Sequence, residues 1–322
     1  MIVIALLQGR GIQSALEPAG RHAAEIGHLW NVFLGVTAVI YVLVMIALLL
    51  AIVHKRRMEP DEPQRQRSAL KAVSIATGIS VIILFSLLIS SIFTTRGIAN
   101  EQTPGQTQMI LTGHQWWWQI EYDNVDQSKR FQTANELTLP VHTPINIHLR
   151  SSDVIHSFWV PNLNGKRDLI PRRDATINLN ADRVGVYRGQ CAEFCGQQHA
   201  KMAFWVNVVS PGDYDRWLHA QEAPSRIPST SSQRKGMDVF MNSPCPLCHT
   251  IRGTNASGST APDLTHFASR RSIAAATVPN RRGFLAGWIL DPQHLKPGNN
   301  MPPMVMEQGD LEPLLDYLES LQ

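Results

Sequence analysis

The chain has 322 residues, 44% of them hydrophobic and 17% charged, with a mean hydropathy of −0.11. Those averages suit an ordinary protein of two or three domains and exclude a disordered chain, a collagen-like repeat and a disulfide-rich miniprotein. Twenty-nine Lys and Arg against 26 Asp and Glu leave a net charge of +3, too weak a balance to point to nucleic acid.

The first ten residues, MIVIALLQGR, open on a short apolar run that reads as an outer segment or the remnant of a signal sequence. A lipoprotein anchor is not expected, because this stretch has no cysteine. Two long apolar runs follow, Leu29–Val53 and Ala72–Phe93, neither containing a charged residue. A helix needs about 20 apolar residues to cross the hydrocarbon core, so both are long enough. Buried core helices are the alternative, but such helices normally keep a polar stripe. Between the runs, residues 54–71 carry Lys55, Arg56, Arg57, Arg65, Arg67 and Lys71 against three acidic residues. That excess places the loop on the cytoplasmic side, with both termini and everything after Phe93 on the outer, periplasmic face of a bacterial-type cell membrane.

From Gly97 the pattern changes to alternation. Ile145, Ile147 and Leu149 alternate with Asn146, His148 and Arg150, and Ala175–Leu179 and Met202–Val208 behave similarly. Period-two segments separated by Pro, Gly and Asn predict an antiparallel β-sandwich or barrel. Residues 223–232 (APSRIPSTSS) read as a linker. Beyond it, GFLAGWIL and DLEPLLDYLESL predict helices, and a unit of about 90 residues buries little apolar surface by itself, so a central cofactor is expected.

All four cysteines fall in pairs. Either pair would suit a short disulfide, or one bridge would join the domains, but the neighbouring residues argue otherwise. Cys245-Pro-Leu-Cys248-His249 is a Cys-x-x-Cys-His run, the attachment signal for c-type haem. Two thiols add to the haem vinyl groups and the histidine becomes the proximal iron ligand. A redox disulfide or a zinc site is the alternative. The sixth ligand is expected from Met301, with Met304 as its rival on the same Pro/Gly-rich loop and Met306 nearby; a His/Met pair closes the iron to other ligands and raises its potential. His266 and His294 read as surface histidines.

The other pair lies in Gly189–Met202, where Cys191, Cys195, His199 and Met202 fall within twelve residues, and His156 sits at a strand end upstream. Two thiols and two imidazoles suit zinc from spacing alone. The thioether of Met202 tilts the preference to copper, and two thiolates on one loop can bridge two metals.

Taken in order, the apolar hairpin, the run from Gly113 through Trp116, Trp117 and Trp118 to Tyr122, Asp153-Val-Ile-His156-Ser-Phe and the Cys191–Met202 run resemble subunit II of haem–copper cytochrome c oxidases with a cytochrome c domain fused at the C-terminus. The resemblance spans the chain from about Ile12 to its end. It implies a multidomain membrane protein: an outer segment (1–28), a two-helix transmembrane hairpin (29–95), a cupredoxin-like β-sandwich (96–222), the linker (223–232) and an all-α class I cytochrome c domain (233–322). It also implies a binuclear copper centre on His156, Cys191, Cys195, His199 and Met202, completed by the carbonyl of Glu193. The Glu193 side chain matches a ligand to magnesium shared with subunit I. Trp116 matches the aromatic through which electrons enter, while at least one of Trp116–Trp118 is expected to serve packing. Glu121, Asp123 and Asp126 suit docking of a basic cytochrome or are solvated loop charges. One departure is visible: where the family has glycine in a Lys-x-Asp-x-Ile-Pro-Gly-Arg-like run, this chain has Arg172, which leaves the contacts of Asp168 and Arg173 toward subunit I less defined.

The implied function is an electron-transfer subunit of a cytochrome c oxidase, an oxidoreductase. A donor cytochrome c or an upstream respiratory complex would reduce the haem on His249. The electron would then pass through the copper pair to subunit I, where oxygen becomes water; subunit III is a further expected partner. The rivals are the equivalent subunit of a copper-containing nitric oxide reductase and a membrane-tethered zinc-binding module. No P-loop, dinucleotide fingerprint or catalytic triad is found, so tuning and positioning of cofactors is the chain's expected contribution.

Overall fold

The computed structural model describes residues 11–53, 63–100, 108–123 and 129–322. The opening ten residues, the Lys55–Arg57 cluster and Asp126 lie outside them. The chain divides into two compact units, one of Ala24–Gln102 and one joining Met1–Ala23 to Thr103–Gln322.

The first of these units is two helices, α1 (Arg21–Val53) and α2 (Pro63–Asn100). Their apolar side chains run all round the helix rather than along one stripe, and their most apolar stretches are unburied within the chain. Thirty-three residues of helix span roughly 50 Å, more than a hydrocarbon core. Three of the hydroxyls turn back on the helix: Thr37, Ser80 and Ser86 donate to the carbonyls of Phe33, Ala76 and Ile82 at 2.8–2.9 Å. No hydroxyl among these three therefore needs water.

In the larger unit, ten strands form a β-sandwich. They are β1 (Gln108–His114), β2 (Trp117–Tyr122), β3 (Phe131–Ala134), β4 (Glu136–Pro140), β5 (Ile145–Ser151), β6 (His156–Trp159), β7 (Arg167–Leu169), β8 (Ala175–Leu179), β9 (Gly185–Cys191) and β10 (Ala203–Val209). One sheet has the order β3-β2-β1-β5-β8 and the other β4-β10-β9-β6-β7. Pairing is mostly antiparallel, but β1 runs parallel to β5 and β4 parallel to β10. The predicted alternation is realised: Ile145, Ile147 and Leu149 are buried while Arg150 is exposed. Between the sheets Phe158 stacks on Phe204 at 5.0 Å, with Trp118 against Phe204 at 5.3 Å.

Helix α3 (Pro211–Glu222) leaves the sandwich, with Ser210 as its N-cap and a proline in its first turn. Residues 223–230 are irregular yet held: Arg252 donates to the carbonyls of Gln221 and Glu222 at 2.6 and 3.1 Å. The amide and hydroxyl of Ser225 both donate to the Arg252 carbonyl at 2.9 Å.

Helix α4 (Ser231–Asn242) begins inside the Pro/Ser-rich stretch, set by a capping box between Thr230 and Gln233. Then follow α5 (Cys245–Cys248), a two-residue ribbon of β11 (Ser272–Ile273) and β12 (Val278–Pro279), α6 (Arg282–Leu290), α7 (Pro292–Leu295) and α8 (Leu311–Ser320). Phe240, Leu285, Ile289, Leu314, Leu315, Tyr317 and Leu318 form the core of this part. Helix α4 crosses α8 at Gly236, where an added Cβ would lie 1.9 Å from the Pro313 carbonyl oxygen, so only glycine fits. The ribbon's turn is unusual, with Ala274, Ala275 and Ala276 all left-handed at φ 54°, 58° and 57°. Each such residue costs roughly 1–2 kcal/mol, so the turn persists only because its surroundings fix it.

Candidate metal centre and haem pocket

The metal-ligand candidates converge because β6 and β9 are neighbours and the chain folds back after β9. His156 opens β6 and Cys191 closes β9; a loop carries Cys195, a short 3₁₀ turn (His199–Lys201) carries His199, and Met202 precedes β10. The sulfurs of Cys191 and Cys195 are free thiols 3.7 Å apart. Each has its own imidazole: Nδ1 of His156 lies 3.9 Å from Cys191, and Nδ1 of His199 lies 3.5 Å from Cys195. The Glu193 carbonyl is 3.2 Å from the Cys191 sulfur, and the Met202 sulfur is 3.7 Å from that of Cys195. The structure thus brings together all six residues singled out in the sequence.

Electrostatics favour a cation here. The contact between the thiols splits them: Cys191 is drawn down by the hydrogen bond from Cys195, and Cys195 is pushed up as holder of the remaining proton. Burial, the largest single influence, would lower the His156 imidazole, but the hydrogen bonds and charges of Asp153 and Cys191 together outweigh it and raise the group. Two thiols, two imidazoles and a thioether form a soft donor set, buried at Cys191, Cys195, His156 and Met202, and it fits copper.

Asp153 and Gly113 both meet the His156 ring, contacts that spacing did not reveal. Asp153 Oδ1 accepts from His156 Nε2 at 2.7 Å, and its Oδ2 accepts from the Gln115 amide at 2.7 Å. A Cβ on Gly113 would sit 2.8 Å from Cδ2 of His156, so glycine makes room for the ring.

The three tryptophans take three roles. Trp116 donates its indole N–H to the Cys195 carbonyl at 2.8 Å. Trp117 stacks on His114 with ring centroids 4.4 Å apart. Trp118 is fully buried in the sandwich core and is the packing residue expected among them. Asp123 pairs with Arg130 at 2.5 Å, and Glu121 is half-buried. Arg172, standing where the family has glycine, keeps the left-handed turn at φ 64°, closed by the Arg173 amide donating to the Ile170 carbonyl. Asp168 and Arg173 are both exposed.

A cavity of about 410 Å³ is lined by Cys245, Cys248, His249, Met301 and Met304, with Trp116 and Trp117 on its wall. His249 Nδ1 donates to the Pro262 carbonyl at 2.7 Å, leaving Nε2 as a lone pair. Burial lowers the His249 imidazole and keeps it neutral, as an iron ligand requires. Arg270 lines the same cavity with a buried Nε that has no hydrogen-bond partner among the described residues. An anionic group in the cavity would satisfy it, so the pocket fits a haem with its propionates. Met304 also packs on the helical core, whereas Met301 is held by its backbone, its amide on Asn299 Oδ1 and its carbonyl on Gln293. His294 is exposed as expected. His266 is not: it is buried and hydrogen-bonds the Ala223 carbonyl at 3.0 Å, a structural role set by the preceding linker.

The chain is similar to known proteins over both of these parts. The periplasmic domain of cytochrome c oxidase subunit II matches residues 125–209, and the cytochrome c family matches residues 233–322. A cytochrome c oxidase subunit 2 of Alkalihalophilus pseudofirmus is 34% identical over 319 residues, covering 96% of this chain and 91% of the relative. The chain belongs to the cytochrome c oxidase subunit 2 family. The Bacillus subtilis subunit 2 is 27% identical over 336 residues, covering 98% and 93% of the two chains. The crystal structure of the periplasmic domain of subunit II from Bradyrhizobium japonicum is 27% identical, covering 37% of this chain and 96% of that one, with a TM-score of 0.35.

Membership makes the sandwich cupredoxin-like and the C-terminal helical part a cytochrome c domain. It makes the chain part of an oxidoreductase, a haem–copper oxidase, and supports an electron-transfer role within that complex. Copper and haem are consistent with the two matched domains. The two apolar helices are consistent with an inner-membrane protein bearing a periplasmic domain.

Proposed function

We propose that this chain receives electrons from a donor cytochrome c or an upstream respiratory complex and delivers them to the haem–copper subunit I, which reduces oxygen to water. The observation that carries this reading is the divided donor set of the metal loop. Each of two adjacent sulfurs has its own imidazole, with a carbonyl on one side and a thioether on the other. Such a set suits two coppers, held by His156, Cys191, Glu193, Cys195, His199 and Met202. Haem would be held covalently by Cys245 and Cys248, with His249 and Met301 as axial ligands and Arg270 toward a propionate. When bound, these groups supply reversible one-electron chemistry.

The chain's own residues position and tune. Asp153 fixes which nitrogen of His156 faces the sulfurs. Trp116 lines the haem pocket and hydrogen-bonds the metal loop, which suits it as the aromatic through which electrons enter. The half-buried Glu193 is the proposed magnesium ligand at the face shared with subunit I. On this reading both redox domains face the periplasm, and subunits I and III are neighbours.

Metal analysis and absorption spectra of the purified full chain test it. Two coppers and one haem per chain, with a near-infrared band of mixed-valence copper and a c-type haem band, are expected. Zinc in a colourless sandwich would overturn it.

A further inference from the structure

The loop after α7 carries a lysine that behaves unlike a surface residue. Lys296 is 3% exposed, and its ammonium donates to the carbonyl of Trp116 at 2.6 Å and to that of Ala274 at 3.2 Å. Burying an ammonium is costly, and packing alone would be served by an apolar side chain. What a lysine adds is direction. Its two acceptors come from different parts of the unit, one beside the metal loop and one in the cytochrome domain.

Its neighbours make the same crossing. Lys201, beside Met202, donates to the Leu295 carbonyl at 2.6 Å, and Gln198 donates to the Pro297 carbonyl at 2.6 Å. The left-handed alanine turn joins the same set of contacts. Its Ala274 carbonyl meets Lys296, and its Ala275 carbonyl accepts from the amide of Ala203 at 3.3 Å, next to Met202. The strained turn thus aims one carbonyl at Lys296 and the next across the domain boundary at Ala203, strain held where it serves a contact.

We propose that Lys296 is a positioning residue: by capping the Trp116 carbonyl it docks the haem pocket on the metal loop and fixes the gap that electrons cross. The link is continuous, from the loop bearing Met301 through Lys296 to Trp116, whose indole holds the Cys195 carbonyl. Electron transfer falls exponentially with distance, so a loosened dock slows transfer while leaving each centre intact. This rests on the electron-transfer reading above, but the docking itself does not need copper.

The test uses the full-length, cofactor-loaded chain with a protease site introduced at Ile227, which is 90% exposed in the linker. After cleavage, release of the cytochrome fragment from the tagged N-terminal part is measured, together with the rate of haem-to-copper electron equilibration after a light-triggered reduction. Lys296→Met is expected to speed release and slow equilibration at least tenfold, with the haem and near-infrared bands unchanged. Lys296→Gln, which keeps one donor for the Trp116 carbonyl, is expected to fall between. Wild-type release and transfer in Lys296→Met would overturn the proposal. Loss of the haem band in both variants would overturn it in favour of a folding role. A wild-type chain lacking the copper band would defeat the functional reading, yet the release comparison would still decide the docking.

Discussion

Asp153 Oδ1 accepts a 2.7 Å hydrogen bond from Nε2 of His156, and the other ring nitrogen is thereby turned to the Cys191 sulfur 3.9 Å away. An outer carboxylate of this kind fixes the tautomer of a metal-binding imidazole and raises its basicity. Asp153→Ala is expected to weaken copper binding by about 10–100-fold while the chain stays folded. Competitive titration against a copper chelator checks it, and unchanged affinity would remove Asp153 from the site.

Gly113 acts on the same ring by leaving space. Since an added Cβ would lie 2.8 Å from Cδ2 of His156, Gly113→Ala must displace the imidazole or the strand. Lower copper stoichiometry with a normal far-ultraviolet circular dichroism spectrum is the expected result.

At Arg172 a residue with a side chain occupies a left-handed turn that favours glycine. Relief of roughly 1–2 kcal/mol of backbone strain is partly offset by glycine's greater freedom in the unfolded chain. Arg172→Gly should therefore stabilise the sandwich by about 0.5–1 kcal/mol, read as a higher urea midpoint.

The Lys296 ammonium has an ordinary value of 10.5, and burial lowers it to about 7. Between those values the unfolded chain binds a proton that the folded chain does not. Stability from this group therefore rises as pH goes from about 7 toward 10.5 and is lost as pH falls back. The neutral amine keeps N–H donors for both carbonyls. Thermal unfolding across this range should show a rising wild-type advantage over Lys296→Met, and a flat difference would contradict it.

Met301 and Met304 both reach the haem cavity, but only Met304 also packs on the helical core. Met301→Leu is expected to lower the haem potential and slow transfer. Met304→Leu should shift stability by less than about 1.5 kcal/mol and leave the potential unchanged. A redox titration of both variants decides, and the reverse outcome assigns the axial ligand to Met304.

What the sequence disclosed follows from how locally each feature is encoded. Ile145, Ile147 and Leu149 announce a strand because one face of a sheet is buried, and the metal loop is readable because four of its side-chain donors fall within Cys191–Met202. Trp118 could be separated from Trp116 and Trp117 only once the start of β2 fixed which residues point inward. His266 was misread because its burial depends on the Ala223 carbonyl, 43 residues earlier. Lys296 was silent for the same reason: in a Pro/Gly-rich loop it looks solvated, and its acceptor on Trp116 lies 180 residues away.

The segment between α3 and α4 is pinned by Arg252, Ser225 and His266 to the domain it introduces. A free chain of that length would let the cytochrome part sweep a volume and set its encounters by polymer statistics. A pinned one removes that search. On the proposed reading, the cytochrome part is then a fixed rung rather than a shuttle, and an outside donor would have to travel to meet it.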